Sequence, residues 1–267
     1  MNAKEVAAET RVSRWRWWVH LVLIGGYFIP GIPLALLHVR HRPSLTSSVH
    51  GLLIVCGAEI LLFSIVFALG WLASRASMEE LLLNWRPGWA VIPLGIGYSI
   101  AIRVAIAILA SGVVFLLLAT GLVSAEFLKQ FFIHSRPDVE RLVDVSTMRN
   151  DPAYFWLTVT LSSLVVAGLR EEIWRAGTLA AMKALWPTIF TDRDGQIAAV
   201  AVIAIVFGMA HLAMGLLAAA LAILLGFFLG VIMVVHRSIW PAVFAHGFFD
   251  AATFAMLPSL HHLQPLR

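Results

Sequence analysis

Apolar runs of about 20 residues recur along the whole of this chain, and that repetition limits its fold more than any single motif does. Crossing about 30 Å of hydrocarbon takes roughly 20 helical residues. Residues 216–235 supply that length with no charged side chain, and residues 51–73 supply it with Glu59 as the one exception. Across all 267 residues 60% are hydrophobic and 13% charged, with mean hydropathy +0.88, and a water-soluble fold could not bury so much apolar surface. The sequence therefore reads as an all-α polytopic transmembrane helical bundle of about 7–8 helices, one membrane domain with no separate soluble one.

The expected helices cover about 17–39, 51–73, 95–121, 155–182, 197–213, 216–235 and 239–257. Pro30 and Pro33 should kink the first, and Pro93 should divide the stretch from Trp89 to Leu122. An eighth element is expected either there or around Leu179 to Phe190. Lys4, Arg11, Arg14 and Arg16 surround Trp15, Trp17 and Trp18 ahead of an apolar run too long for a signal peptide, so this run reads as a retained first helix. Residues 123–152 mix Glu126, Lys129, Arg136, Asp138, Glu140, Arg141, Asp144, Arg149 and Asp151, a solvated segment expected to cap one face.

Net charge is +4, but the basic residues flank apolar runs, so membrane lipids rather than nucleic acid are the expected partners. Basic residues slightly favour a cytoplasmic N-terminus. Cys56 is the single cysteine, which excludes a disulfide framework and a cysteine metal cluster.

Function is carried by charges placed where hydrocarbon should be. An ionised side chain at a helix centre costs about 2.5–3.5 kcal/mol on insertion scales, so such groups need partners and mark functional sites. Three apolar segments of the C-terminal half break the rule together. In Arg170-Glu171-Glu172-Ile173-Trp174-Arg175, Glu171 and Glu172 stand four and three residues before Arg175, so its guanidinium can fix either carboxylate and leave the other for chemistry. Phe207 and His211 share a helical face, and so do His246 and Asp250.

Taken one at a time, each has a plain structural explanation as a salt bridge, a hydrogen-bonded core histidine or an interfacial pair. Three together would cost on the order of 10 kcal/mol if unpaired. Counting about 1.5 Å per residue, Glu171 and the His246/Asp250 pair lie roughly 10–16 Å from one face and His211 roughly 21 Å. Glu59 is expected to line an internal cavity without a catalytic role, because no second titratable group accompanies it, and Arg103 is expected to snorkel. His261 and His262 look incidental.

The ordered set Glu171-Glu172-x-x-Arg175, Phe207-x-x-x-His211 and His246-x-x-x-Asp250 resembles the CPBP family of CAAX prenyl proteases and bacteriocin-processing intramembrane endopeptidases, also called the Abi family. The resemblance covers about residues 155–257. It divides the chain into N-terminal transmembrane helices with their connecting loop, 1–150, and a catalytic membrane core, 151–260. It implies peptide-bond hydrolysis on a membrane-associated peptide or protein, in a bacterial cytoplasmic membrane.

By the same resemblance Glu171 is the general base, Glu172 and Arg175 organise the helix, His211 helps hold the water or a metal, and His246 with Asp250 stabilises the oxyanion. The family has been described both as metalloproteases and as metal-independent glutamate proteases. Glu171, His211 and His246 would be the ligands of Zn2+ or another divalent ion. The chain departs from the pattern in having two residues rather than three between the Glu pair and Arg175, which would put Arg170 at the first Glu position. It also has Asp250 where prenyl proteases favour Asn, and Ala176 where many relatives have Gly, with Gly177 following. A non-catalytic immunity or scaffold protein of the same fold, or a proton-coupled transporter with Glu59, Glu171, His211 and His246 as relay, are the alternative functions.

Overall fold

The computed structural model describes residues 14–36 and 46–260, all helix and connecting turns with no strand among them. Lys4, Arg11, His261 and His262 lie outside the described residues. The first helix, α1, covers 14–25 and widens to π geometry at Leu21–Gly25. Turns through Pro30 separate it from α2, Gly31–Leu36, so the expected first helix is broken rather than kinked.

Helix α3, Val49–Ser74, starts where the Ser48 hydroxyl accepts the Gly51 amide at 3.2 Å and stops where Arg75 turns left-handed. Helix α4, Val91–Ala119, runs unbroken through Pro93. Proline in the first turn gives up an N–H that has no intrahelical partner there, so the division expected at this residue does not occur. The 123–152 segment forms two short helices, α5 at Ala125–His134 and α6 at Val145–Asn150.

Helix α7 extends from Pro152 to Leu185. Its start is fixed by Asp151, whose carboxylate accepts the Ala153 and Tyr154 amides at 2.9 and 3.2 Å, with proline in the first turn. Between Thr158 and Arg170 it takes π geometry. Hydroxyls support this stretch: Ser163 donates to the Thr158 carbonyl five residues back at 3.0 Å, and Thr158 and Thr160 donate to carbonyls four residues back.

A single turn at Pro187–Phe190 follows, then α8 at Arg193–Ala210, α9 at Leu216–His236 and α10 at Trp240–Leu260. That turn is where the eighth element was expected. Five helical stretches are long and apolar enough to span a membrane: Val49–Ser74, Gly88–Ala119, Pro152–Leu185, Arg193–Ala210 and Leu216–His236. Helix α10 has the length as well, but His246 and Asp250 dilute its apolar character.

The most extensive pairings are α8 on α9, the π stretch of α7 on α10, and α4 on α10. Glycines allow α7 and α10 almost into backbone contact. A Cβ on Gly247 would sit 3.1 Å from the Leu164 Cα, and one on Gly168 would sit 2.8 Å from the Val243 carbonyl oxygen. Their crossing lies just ahead of Glu171 and Glu172 on one helix and beside His246 on the other, and so sets how far apart those groups stand. A buried core of Trp174, Leu179, Ile203, Phe207, Leu229 and Met233 packs the other side of α7.

Candidate active site

Glu171 and Glu172 follow the π stretch and open the α-helical end of α7. Adjacent residues on a helix point about 100° apart, and the two carboxylates accordingly have separate fates. Glu172 is fully buried. One of its oxygens meets Nη1 of Arg175 and the other accepts Nδ1–H of His246 at 2.9 Å. Arg175 is also fully buried, stacks over Phe207 with its guanidinium carbon 4.8 Å from the ring centre, and has no hydrogen-bond partner at Nε or Nη2. The expected carboxylate–guanidinium pair therefore exists, and Glu172 is its acid.

Glu171 has a different clamp. Arg170 holds its Oε1 through Nη2 at 3.0 Å, while Nη1 of the same guanidinium meets Oε2 of Glu59 on α3 at 2.6 Å. The other oxygen of Glu171 lies 3.8 Å from Nε2 of His246. Asp250 brings Oδ2 to 3.7 Å from that same nitrogen. With Nδ1 committed to Glu172, His246 is held at one edge and presents its other edge between two carboxylates. Both gaps exceed a direct hydrogen bond and suit one water-sized group shared among the three.

These groups open into a cavity of about 560 Å³ lined by Glu59, Arg103, Glu171, His211, His246 and Asp250. Glu172 and Arg175 do not line it. Its wall is otherwise mainly apolar, and Val139, Leu142 and Val143 from the polar 123–152 segment contribute to it. That segment is tied down by the Asp138 amide, which donates to the Met214 carbonyl at 2.9 Å.

His211 reaches the cavity from one residue past the end of α8, which stops at Ala210 short of the expected end at 213. Its ring lies 4.5 Å from that of Phe207, and its Nδ1 donates to the Phe207 carbonyl at 2.8 Å. The four-residue spacing thus does bring the two rings together, and the unequal depth counted along the helices does not keep His211 out of the shared cavity. Among the described residues no group of three His, Cys, Asp or Glu side chains stands close enough together to hold a metal ion. Each histidine commits Nδ1, His246 to Glu172 and His211 to its own helix, and so leaves Nε2 as the nitrogen not used in a hydrogen bond.

Two charges are placed differently from expectation. Glu59 lines the cavity as foreseen but has a titratable companion in Arg170. Arg103 does not snorkel: its Nη2 donates to the Phe249 carbonyl and to the Thr253 hydroxyl, the latter at 3.0 Å, and its guanidinium carbon lies 4.1 Å above the Phe249 ring. Because α4 begins at Val91, Arg103 stands deep enough to reach α10 and the cavity.

The helices that carry these groups also match a known family. Residues 152–252 match the family described as type II CAAX prenyl endopeptidase Rce1-like. This segment is a Rce1-like domain of the CPBP family. The Rce1-like domain contains Glu171, Glu172, Arg175, His211, His246 and Asp250, and its family supports an intramembrane endopeptidase. With the apolar helices it makes the chain a multi-pass membrane protein. Neither the curated proteins nor the solved structures gave a significant match. Glu59 and Arg103 lie outside the matched segment.

Proposed function

We propose that the chain is an intramembrane endopeptidase in which Glu171 activates water against a peptide bond of a membrane-associated substrate. The observation that carries this is the division between the two adjacent glutamates. Glu172 is sealed between Arg175 and His246, whereas Glu171 faces the cavity with one oxygen directed toward His246.

In the proposed reaction Glu171 takes a proton from water as the oxygen bonds to the peptide carbonyl carbon. The carbonyl becomes an oxyanion, which accepts a hydrogen bond from Nε2–H of His246 in its doubly protonated form, Nδ1–H remaining on Glu172. Asp250, 3.7 Å from that nitrogen, keeps the N–H in place, and its pairing with His246 offsets the repulsion a free carboxylate would exert on the oxyanion. Collapse of the adduct breaks the C–N bond, and Glu171 returns its proton to the leaving amine. Glu172 fixes the imidazole through Nδ1, and His211 borders the water's approach.

The apolar cavity suits a substrate that arrives with a hydrophobic segment or chain, whether of the CAAX type or of the bacteriocin-processing type, in a bacterial cytoplasmic membrane. The donor arrangement gives no three-ligand site, and no step is assigned to a metal. The test is cleavage of quenched-fluorescent peptides, prenylated CAAX-type members included, by detergent-solubilised wild type and Glu171→Gln, with and without chelator. Cleavage by wild type that survives chelation and disappears in folded Glu171→Gln is the expected result. Wild-type turnover by Glu171→Gln would overturn the assignment of the base, and loss on chelation would replace it with metal chemistry.

A further inference from the structure

Arg170 occupies the position where the family pattern would place a glutamate, and Glu59 belongs to a helix outside the matched segment; neither has a part in the chemistry so far. Between them they connect α3 to the site. The guanidinium is a planar fork, one tine on Glu59 and the other on Glu171. Its side chain is 11% exposed, and the ring of Phe28 lies 5.5 Å from its carbon, so it has little freedom to release either partner. Glu171, by contrast, has no other hydrogen-bond donor among the described residues. Without the fork its side chain would be free to turn into the cavity or toward Arg103.

We propose that Arg170, anchored by Glu59, is a positioning residue that takes Oε1 of Glu171 and so directs Oε2 toward His246 and Asp250. This rests on the reading of Glu171 as the base. The reason to anchor with a second acid is charge as well as geometry. A lone guanidinium against Glu171 would form a closed ion pair, which holds the carboxylate but draws its charge away from the water. Glu59 shares that guanidinium at 2.6 Å, leaving Glu171 fixed through one oxygen and available through the other. The N-terminal helices then complete the site as well as enclosing it, and the matched segment alone would lack the anchor.

The experiment is a double-mutant cycle on full-length, detergent-solubilised protein with a cleaved peptide, comparing Glu59→Gln, Arg170→Gln and their combination. Loss of positioning on the scale of 1 Å costs up to about 100-fold. Arg170→Gln should therefore lower kcat by about 10- to 100-fold with KM within about twofold, and Glu59→Gln by about 10-fold. The double variant, which leaves neither Glu59 nor Arg170 charged without the other, should be no slower than Arg170→Gln. Arg170→Lys, a charge without a fork, should recover only part of kcat.

Wild-type kcat in folded Glu59→Gln, multiplying losses in the double variant, or full activity with lysine would each overturn the proposal. Activity in Glu171→Gln would instead overturn the function on which it rests, so the two failures are separable.

Discussion

The same substitution at adjacent residues should have opposite consequences. In Glu172→Gln the carboxamide retains one acceptor oxygen where the carboxylate has two, and both are in use, one by His246 Nδ1–H and one by Arg175. Whichever partner keeps the oxygen, the other faces an N–H2 group, donor against donor. If Arg175 loses, a fully buried guanidinium is left without an anion. Breaking a buried pair by removing one partner costs about 3–5 kcal/mol, a large part of the about 5–15 kcal/mol that holds a typical domain folded.

In Glu171→Gln the affected pair borders the cavity, Arg170 retains Glu59 and the carboxamide oxygen can still accept from it, so the cost should be at most about 1.5–3 kcal/mol, that of one charge-assisted hydrogen bond. Thermal melts in detergent, followed by tryptophan fluorescence and paired with turnover, separate the two variants. Glu172→Gln should melt far below wild type, while Glu171→Gln should melt near it and be inactive. A Glu172→Gln protein as stable as wild type, or a Glu171→Gln protein less stable than Glu172→Gln, would refute the separation into sealed clamp and cavity-facing base.

Other outcomes follow from the same geometry. Gly247→Ala puts a methyl 3.1 Å from the Leu164 Cα, where backbone must move; it should cost about 1–3 kcal/mol and slow turnover by spreading Glu171 from His246, measurable by melt and kcat. Asp144 caps α6 outside the spanning helices, and its carboxyl is held below its ordinary value chiefly by the Thr147 amide. A depressed folded value means that the cap stabilises above the unfolded value of about 4 and loses that contribution as pH falls through the folded value. The protection factor of the Thr147 amide, with the intrinsic pH dependence of exchange divided out, should therefore fall in acid, and Asp144→Asn should flatten that dependence.

The membrane end bearing Arg14, Arg75, Arg86, Lys183, Arg193 and Arg237 outweighs in basic residues the end bearing Lys129, Arg136, Arg141 and Arg149. Basic residues favour the cytoplasm, so the Val139–Val143 side of the cavity is expected on the opposite face. With Cys56 replaced by Ser, a cysteine introduced at Ser77 should resist an impermeant thiol reagent in intact cells, and one at Ser124 should react.

The bundle was legible because apolar length is a property of contiguous sequence. The site was legible as far as each charged residue lay next to its partner along one helix: Glu172 with Arg175, His246 with Asp250, Phe207 with His211. What escaped were pairings between helices distant in sequence. Arg170 stands 111 residues from Glu59 and Arg103 stands 150 from Thr253, and no periodicity connects such positions. The available signal was the presence of any charge in an apolar run, which Glu59 and Arg103 both give.

His20 escaped altogether. Fully buried, it ties α1 to α3 and α7 through Ser74 at 2.8 Å and the Gly70 and Gly177 carbonyls, each at 3.1 Å, and a lone histidine in a hydrophobic run was its only trace. Helix ends were set by single residues, as at Asp151, where local hydrogen bonding outweighs the apolar pattern.

The π stretch of α7 also acts as an angular spacer. A wider helix turns less with each residue than an α-helix does, so the 13 residues from Thr158 to Arg170 set the direction in which Glu171 and Glu172 emerge at its far end. A one-residue deletion there would scarcely shorten the helix. It would rotate both carboxylates about the axis together, like a dial moved by one notch, carrying Glu172 away from His246 while every atom of the glutamates remained intact. The count of residues in that stretch is in this way part of what sets the geometry of the candidate site.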